Sequence, residues 1–139
     1  MTTPTPIPDD PDFEADSEAI QELAEQAPNA PAPADVAHRV QWHVTDIAET
    51  LEPIREAIDN DFDEMMRNNP DMDPIMAARS DAGESSAQLS RSEDAVEKAE
   101  RTLSGPAPIT NQQAHAILQS MAEALSQAEE AKPADFKYR

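Results

Sequence analysis

The chain has 139 residues, 38% of them hydrophobic but only 4% aromatic, a content weighted to alanine that argues against a thick globular core. Two glycines are too few for a loop-rich enzyme, and the lack of cysteine excludes disulfides and thiolate metal sites. Twenty-nine acids against ten bases give a net charge of −19, a surface that repels duplex nucleic acid and anionic membranes, and no apolar run approaches the ~20 residues that span a bilayer.

Residues 1–16 (MTTPTPIPDDPDFEAD) are rich in proline and acid, with Ile7 and Phe13 as their sizeable apolar groups. Such a segment has too little to bury alone, so it is expected as an extended arm that orders against a partner, anchored by Ile7 and Phe13. Its first residues lack the basic and apolar regions of a signal peptide, which predicts a protein retained in cytoplasm or packaged into a particle assembled there.

Ser17 to Ala27 reads as a short helix with Ile20, Leu23 and Ala24 on one face, stopped by Pro28. Residues 28–33 (PNAPAP) read as a stiff linker. A long helix is predicted over 34–68. Val44, Leu51, Ile58 and Met65 hold one heptad position, and Val40, Ile47 and Ile54 the other, until Asp61 interrupts it. Pro53 lies inside this run but off the seam, which predicts a kinked helix, with two helices meeting at Glu52–Pro53 as the alternative. Trp42 falls beside the seam, where it can cover the core edge or anchor a partner. His38 and His43 are five apart and face different ways, unlike a zinc-binding i, i+4 pair; together with His115 they read as rim residues.

Residues 68–74 (NNPDMDP) form a turn, with Asp73 as N-cap and Pro74 at the first helical position. One continuous helix is predicted over 74–104. Ile75, Ala82, Leu89, Val96 and Leu103 recur every seven residues, and the companion positions Ala78, Ser85, Ser92 and Ala99 are small. This is a seam where two helices pack closely. Ser85, Ser86, Ser90 and Ser92 make a serine-rich face with no base adjacent in sequence, which favours interhelical hydrogen bonds over nucleophilic chemistry. Gly105–Pro106 stops the helix, and Thr110–Gln113 is a capping box with Ile109 and Ala114 as its staple. The last helix, 111–131, presents Ala114, Leu118, Met121, Leu125 and Ala128 on one face. Residues 132–139 follow as a docking tail, in which Phe136 and Tyr138 alternate with Lys137 and Arg139.

The predicted fold is all-α: a slender antiparallel helical bundle of coiled-coil hairpins over 17–131, flanked by the arm (1–16) and the tail (132–139). Its seam is Val44, Leu51, Ile58, Ile75, Ala82, Leu89, Val96, Leu103, Leu118, Met121 and Leu125. So thin a core favours self-association or docking on a larger structure. Partner-docking residues are expected at Ile7, Phe13, Trp42, Phe136 and Tyr138.

Residues 59–63 (DNDFD) begin like a calcium loop, but Glu64 replaces the required glycine and Pro70 the bidentate acid. No catalytic, cofactor or metal residue is assigned. The acids are spread along every helical segment and lysine occurs at Lys98, Lys132 and Lys137 alone. An even spread favours adaptation to concentrated salt over a dedicated acidic surface. The resulting expectation is a non-enzymatic structural or adaptor component of a large assembly: a virion protein of a halophilic archaeal virus, or an assembly factor of its host. Its partners would be other chains of that assembly or further copies of itself, with no direct contact to nucleic acid or membrane. The alternative is an acidic regulator or nucleic-acid mimic that masks a basic partner. A mimic would carry carboxylates in two rows at phosphate-like spacing.

Overall fold

The computed structural model describes residues 12–133; Ile7, Phe136 and Tyr138 lie outside that range. The described chain is all-α: α1 (Phe13–Gln26), α2 (Ala34–Asn68), α3 (Pro74–Arg79), α4 (Asp81–Leu103) and α5 (Asn111–Ala131). Helix α1 starts at Phe13 rather than Ser17, because Asp12 serves as its N-cap and accepts from Ala15 N at 3.1 Å. The arm expected over 1–16 is therefore corrected: residues 13–16 are helical. The extra turn aligns Asp16 with Ala19 and Ile20 on the buried face. Helix α2 runs unbroken through Pro53, and its buried residues, His43 apart, step by threes and fours from Val36 to Ile58.

The continuous helix expected over 74–104 is instead two. Ser80, with φ −67° and ψ 161°, is extended backbone that ends α3 and caps α4. Its Oγ donates to Ala77 O at 2.6 Å and accepts from Gly83 N at 3.1 Å, so one hydroxyl satisfies groups of both helices. Gly83 permits the tight junction: a Cβ there would stand 2.7 Å from Ala78 O and closer still to Ala77 O. The break rotates Ile75 out of the seven-residue seam, leaving it 65% exposed.

Helices α1, α2, α4 and α5 enclose one apolar cluster built from Ile20, Val40, Val44, Ile54, Ile58, Leu89, Leu118 and Met121 among others. Side-chain bonds set the helix directions. Gln88 reaches Glu130 and Ser92 reaches Ala124, so α4 and α5 run oppositely. The linker before α2 is docked along its length. Ala32 N donates to Ile109 O (2.8 Å), Asn111 N to Ala30 O (2.9 Å), Gln112 N to Pro28 O (3.1 Å), and Asn111 Nδ2 to Ala27 O (3.0 Å). These carbonyls satisfy the first N–H groups of α5 that have no partner within the helix. The capping box Thr110–Gln113 satisfies Gln113 N and Thr110 N. Both ends of this clip are fixed, which holds α1, α2 and α5 together at one end of the molecule.

Candidate functional site

Among the described residues, polar ties link the core helices, and an apolar surface lies at one end of α2. The first joins α1 to α2. Asp16 is fully buried, and its Oδ2 lies 2.6 Å from His43 Nε2 and 3.3 Å from Arg39 Nε. The rings of Phe13 and Trp42 each meet His43 edge-on at 5.2 Å. His43 is 3% exposed, so the pair is closed to solvent and acts as an interhelical tie. The other oxygen, Asp16 Oδ1, is buried with no hydrogen-bond partner among the described residues. That leaves the tie expensive to break on either side.

The second is a fork from α2 into α4. Arg55 Nη2 lies 2.5 Å from Glu93 Oε1, and Arg55 Nε is 3.2 Å from both Glu93 oxygens. Arg55 Nη1 donates to Ser86 Oγ (2.8 Å) and Nη2 to Ser90 Oγ (2.9 Å). The Glu93 hydrogen bond outweighs partial burial and raises the Arg55 pKa above the ordinary guanidinium value. The third is Ser92, fully buried, donating to Ala124 O at 2.7 Å across the α4–α5 contact. Each engages groups of the core with one another and links two helices.

The apolar surface is at the opposite end of α2 from the linker clip. Phe62 and Met66 of α2, Met72 and Pro74 of the turn, Ala77 and Ala78 of α3, and Gly83 and Ser86 of α4 line an open cleft of about 400 Å³. Beside it Ile75 and Met76 project from α3 at 65% and 58% exposure. Asp73 Oδ1 accepts from Met76 N at 2.9 Å and fixes the start of α3. A six-residue helix held by a cap at each end thus presents two large apolar side chains to solvent.

Of the seam residues expected from sequence, Val44, Leu51, Ile58, Leu89, Val96, Leu118 and Met121 are buried. Ala82, Leu103 and Leu125 are half-buried, with Ala124, Ala128 and Ala131 taking the inner face of α5. Ile75 lies outside the seam for the reason given above. Phe13 packs against the core and His43, which corrects its placement on an extended arm. Trp42 is 43% exposed, half on the His43 ring and half in solvent. His43 is not a rim residue; it sits three residues after Val40 and four before Ile47, both buried, a spacing that marks the inner face. Residues 59–63 continue α2, and the described residues contain no cluster of three or more His, Cys, Asp or Glu able to hold a metal. Among the described residues no helix is long and apolar enough to cross a membrane.

The sequence matches no protein-family model, no curated protein and no solved structure.

Proposed function

We propose that this chain is a non-enzymatic structural or adaptor component of a large protein assembly, a small antiparallel helical bundle that works by being docked. The observation that carries this reading is the pair Ile75 and Met76, exposed on a doubly capped helix beside an apolar cleft. Large apolar side chains grouped on one exposed surface mark contact sites, because their hydration cost is relieved on association. The polar ties of the core support the same reading: they fix the helices relative to one another, so the cleft is offered by a preorganised body.

The evenly spread charge of −19 and the scarcity of lysine support a setting in concentrated salt. We place the protein in a virion of a halophilic archaeal virus, or in the cytoplasm of its host as an assembly factor. The test is sedimentation of the full-length chain from its native host through a salt-matched gradient. Co-migration with a particle much larger than the chain is expected, and recovery of all the protein at the monomer position would reject the adaptor reading.

A further inference from the structure

We propose that Ser80–Gly83 is a two-state hinge: the bent α3–α4 of the free chain can close into one helix over 74–103, which carries Ile75 into the packing seam. This goes beyond the adaptor reading, which needs only the surface as it stands. The residues across the break favour a helix. Residues 75–82 (IMAARSDA) hold neither proline nor glycine, and Ala77, Ala78 and Ala82 are of the strongest helix-forming type. Ile75 stands two heptads before the fully buried Leu89, and Ala82 one, so a continuous helix would set all three on one stripe. The bend instead leaves Ile75 65% exposed.

Little holds the bend. Ser80 departs from helical geometry, with ψ at 161°. Its hydroxyl bridges Ala77 O and Gly83 N, and Gly83 leaves the space that lets α3 lie against the first turn of α4. Turning ψ of Ser80 to the helical value of ~−42° would exchange those two bonds for Asp81 N to Ala77 O, Ala82 N to Ala78 O and Gly83 N to Arg79 O.

The neighbouring helices admit the closed form and explain the bent one. Arg55 of α2 bonds Ser90 of α4. Asn68, thirteen residues after Arg55, ends α2 and would come level with Ala77, thirteen before Ser90. Residues 69–73 are then long enough to join α2 to the straight helix. Helix α5 gives that helix no further support: Gln88 reaches Glu130 and α5 ends at Ala131, so Ala82, Ala78 and Ile75 lie beyond it. Bending at Ser80 instead sets Ala77 and Ala78 across one cleft from Phe62 and Met66, which makes the bent form the ground state.

The experiment is carbon and nitrogen NMR of the full chain, wild type against Ser80→Ala/Gly83→Ala, which removes the cap and fills the gap. In the double variant the Cα and Cβ shifts of residue 80 should move from extended to helical values, making 79–83 helical throughout. Amide exchange at 81–83 should slow at least tenfold as these groups gain carbonyl partners. Adding Ile75→Ser to the double variant should then lower Tm by several degrees, whereas Ile75→Ser in the wild type, at an exposed position, should leave it nearly unchanged. Residue 80 staying extended, or residues 74–79 losing their helical shifts, would overturn the hinge, since the break would then be a fixed junction. An equal effect of Ile75→Ser in both backgrounds would overturn it too, because Ile75 would not have entered the seam. If the double variant does not fold, saturation-transfer NMR on the wild type decides: a minor state with helical shifts at residue 80 supports the hinge, and its absence overturns it. The adaptor reading stands or falls separately, on co-sedimentation.

Discussion

Replacing Gly83 with alanine sets two physical effects against each other. Gly83 lies in the first turn of α4, where intrinsic propensity alone favours alanine by up to ~1 kcal/mol. The structure predicts the opposite sign. The new methyl group would stand 2.7 Å from Ala78 O, and nearer to Ala77 O, both backbone atoms of α3. Apolar carbon needs ~3.5 Å or more for an unstrained contact, so the end of α3 would have to withdraw by roughly 1 Å. It cannot do so freely, because Ala77 is buried and Ser80 Oγ holds Ala77 O at 2.6 Å. Overpacking of this kind costs ~1–3 kcal/mol, and tearing the Ser80 cap adds ~1 kcal/mol. After the propensity gain the net loss is about 1–3 kcal/mol. For a chain of 139 residues that corresponds to a fall of roughly 3–10 °C in Tm. Thermal and urea melts at about 1 M potassium chloride would measure it. A Gly83→Ala protein as stable as the wild type, or more so, would refute the close approach of α3 to α4.

Three further outcomes follow from the polar ties and the charge. Asp16→Ala or His43→Ala should each cost ~1–3 kcal/mol in urea melts by stranding a buried partner; the apolar pair Asp16→Leu/His43→Leu should recover most of that loss. Ser92→Ala should cost about 1 kcal/mol through the lost bond to Ala124 O, and Ser92→Leu more, since the site is fully buried between α4 and α5; a stabilised leucine variant would contradict so tight a contact. Thermal melts should show greater stability at about 1 M than at about 0.1 M potassium chloride, as the screening length falls from ~10 Å to ~3 Å; equal melting temperatures would favour acidity used for binding over salt adaptation.

Helix type, most helix ends and much of the core were readable because heptad spacing and caps are local signals. Val40, Val44, Leu51 and Ile58 could be placed from spacing alone, and Thr110–Gln113 named the start of α5. The break at Ser80 was harder to read because the seven-residue pattern runs straight across it. The local signal was Ser80 followed by Gly83 and Glu84, an N-cap serine three residues before a glycine that leaves room for α3. His43 had the spacing of a core residue, but its partner Asp16 is 27 residues away, in a segment whose acids and prolines suggested an extended arm. The docked linker was hidden for a similar reason: its carbonyls serve residues some eighty positions later, and pairing of backbone groups leaves no mark in composition. The cleft depends on the break at Ser80, so it could not be seen before that break was.

The measurement closest to the central claim is amide hydrogen exchange on this protein, free and within any particle with which it is found to co-sediment. Docking through the α3 end predicts added protection over residues 72–80 in the particle, with the buried core of α4 and α5 unchanged. Exchange at 72–80 that is identical in the free and assembled protein would contradict it.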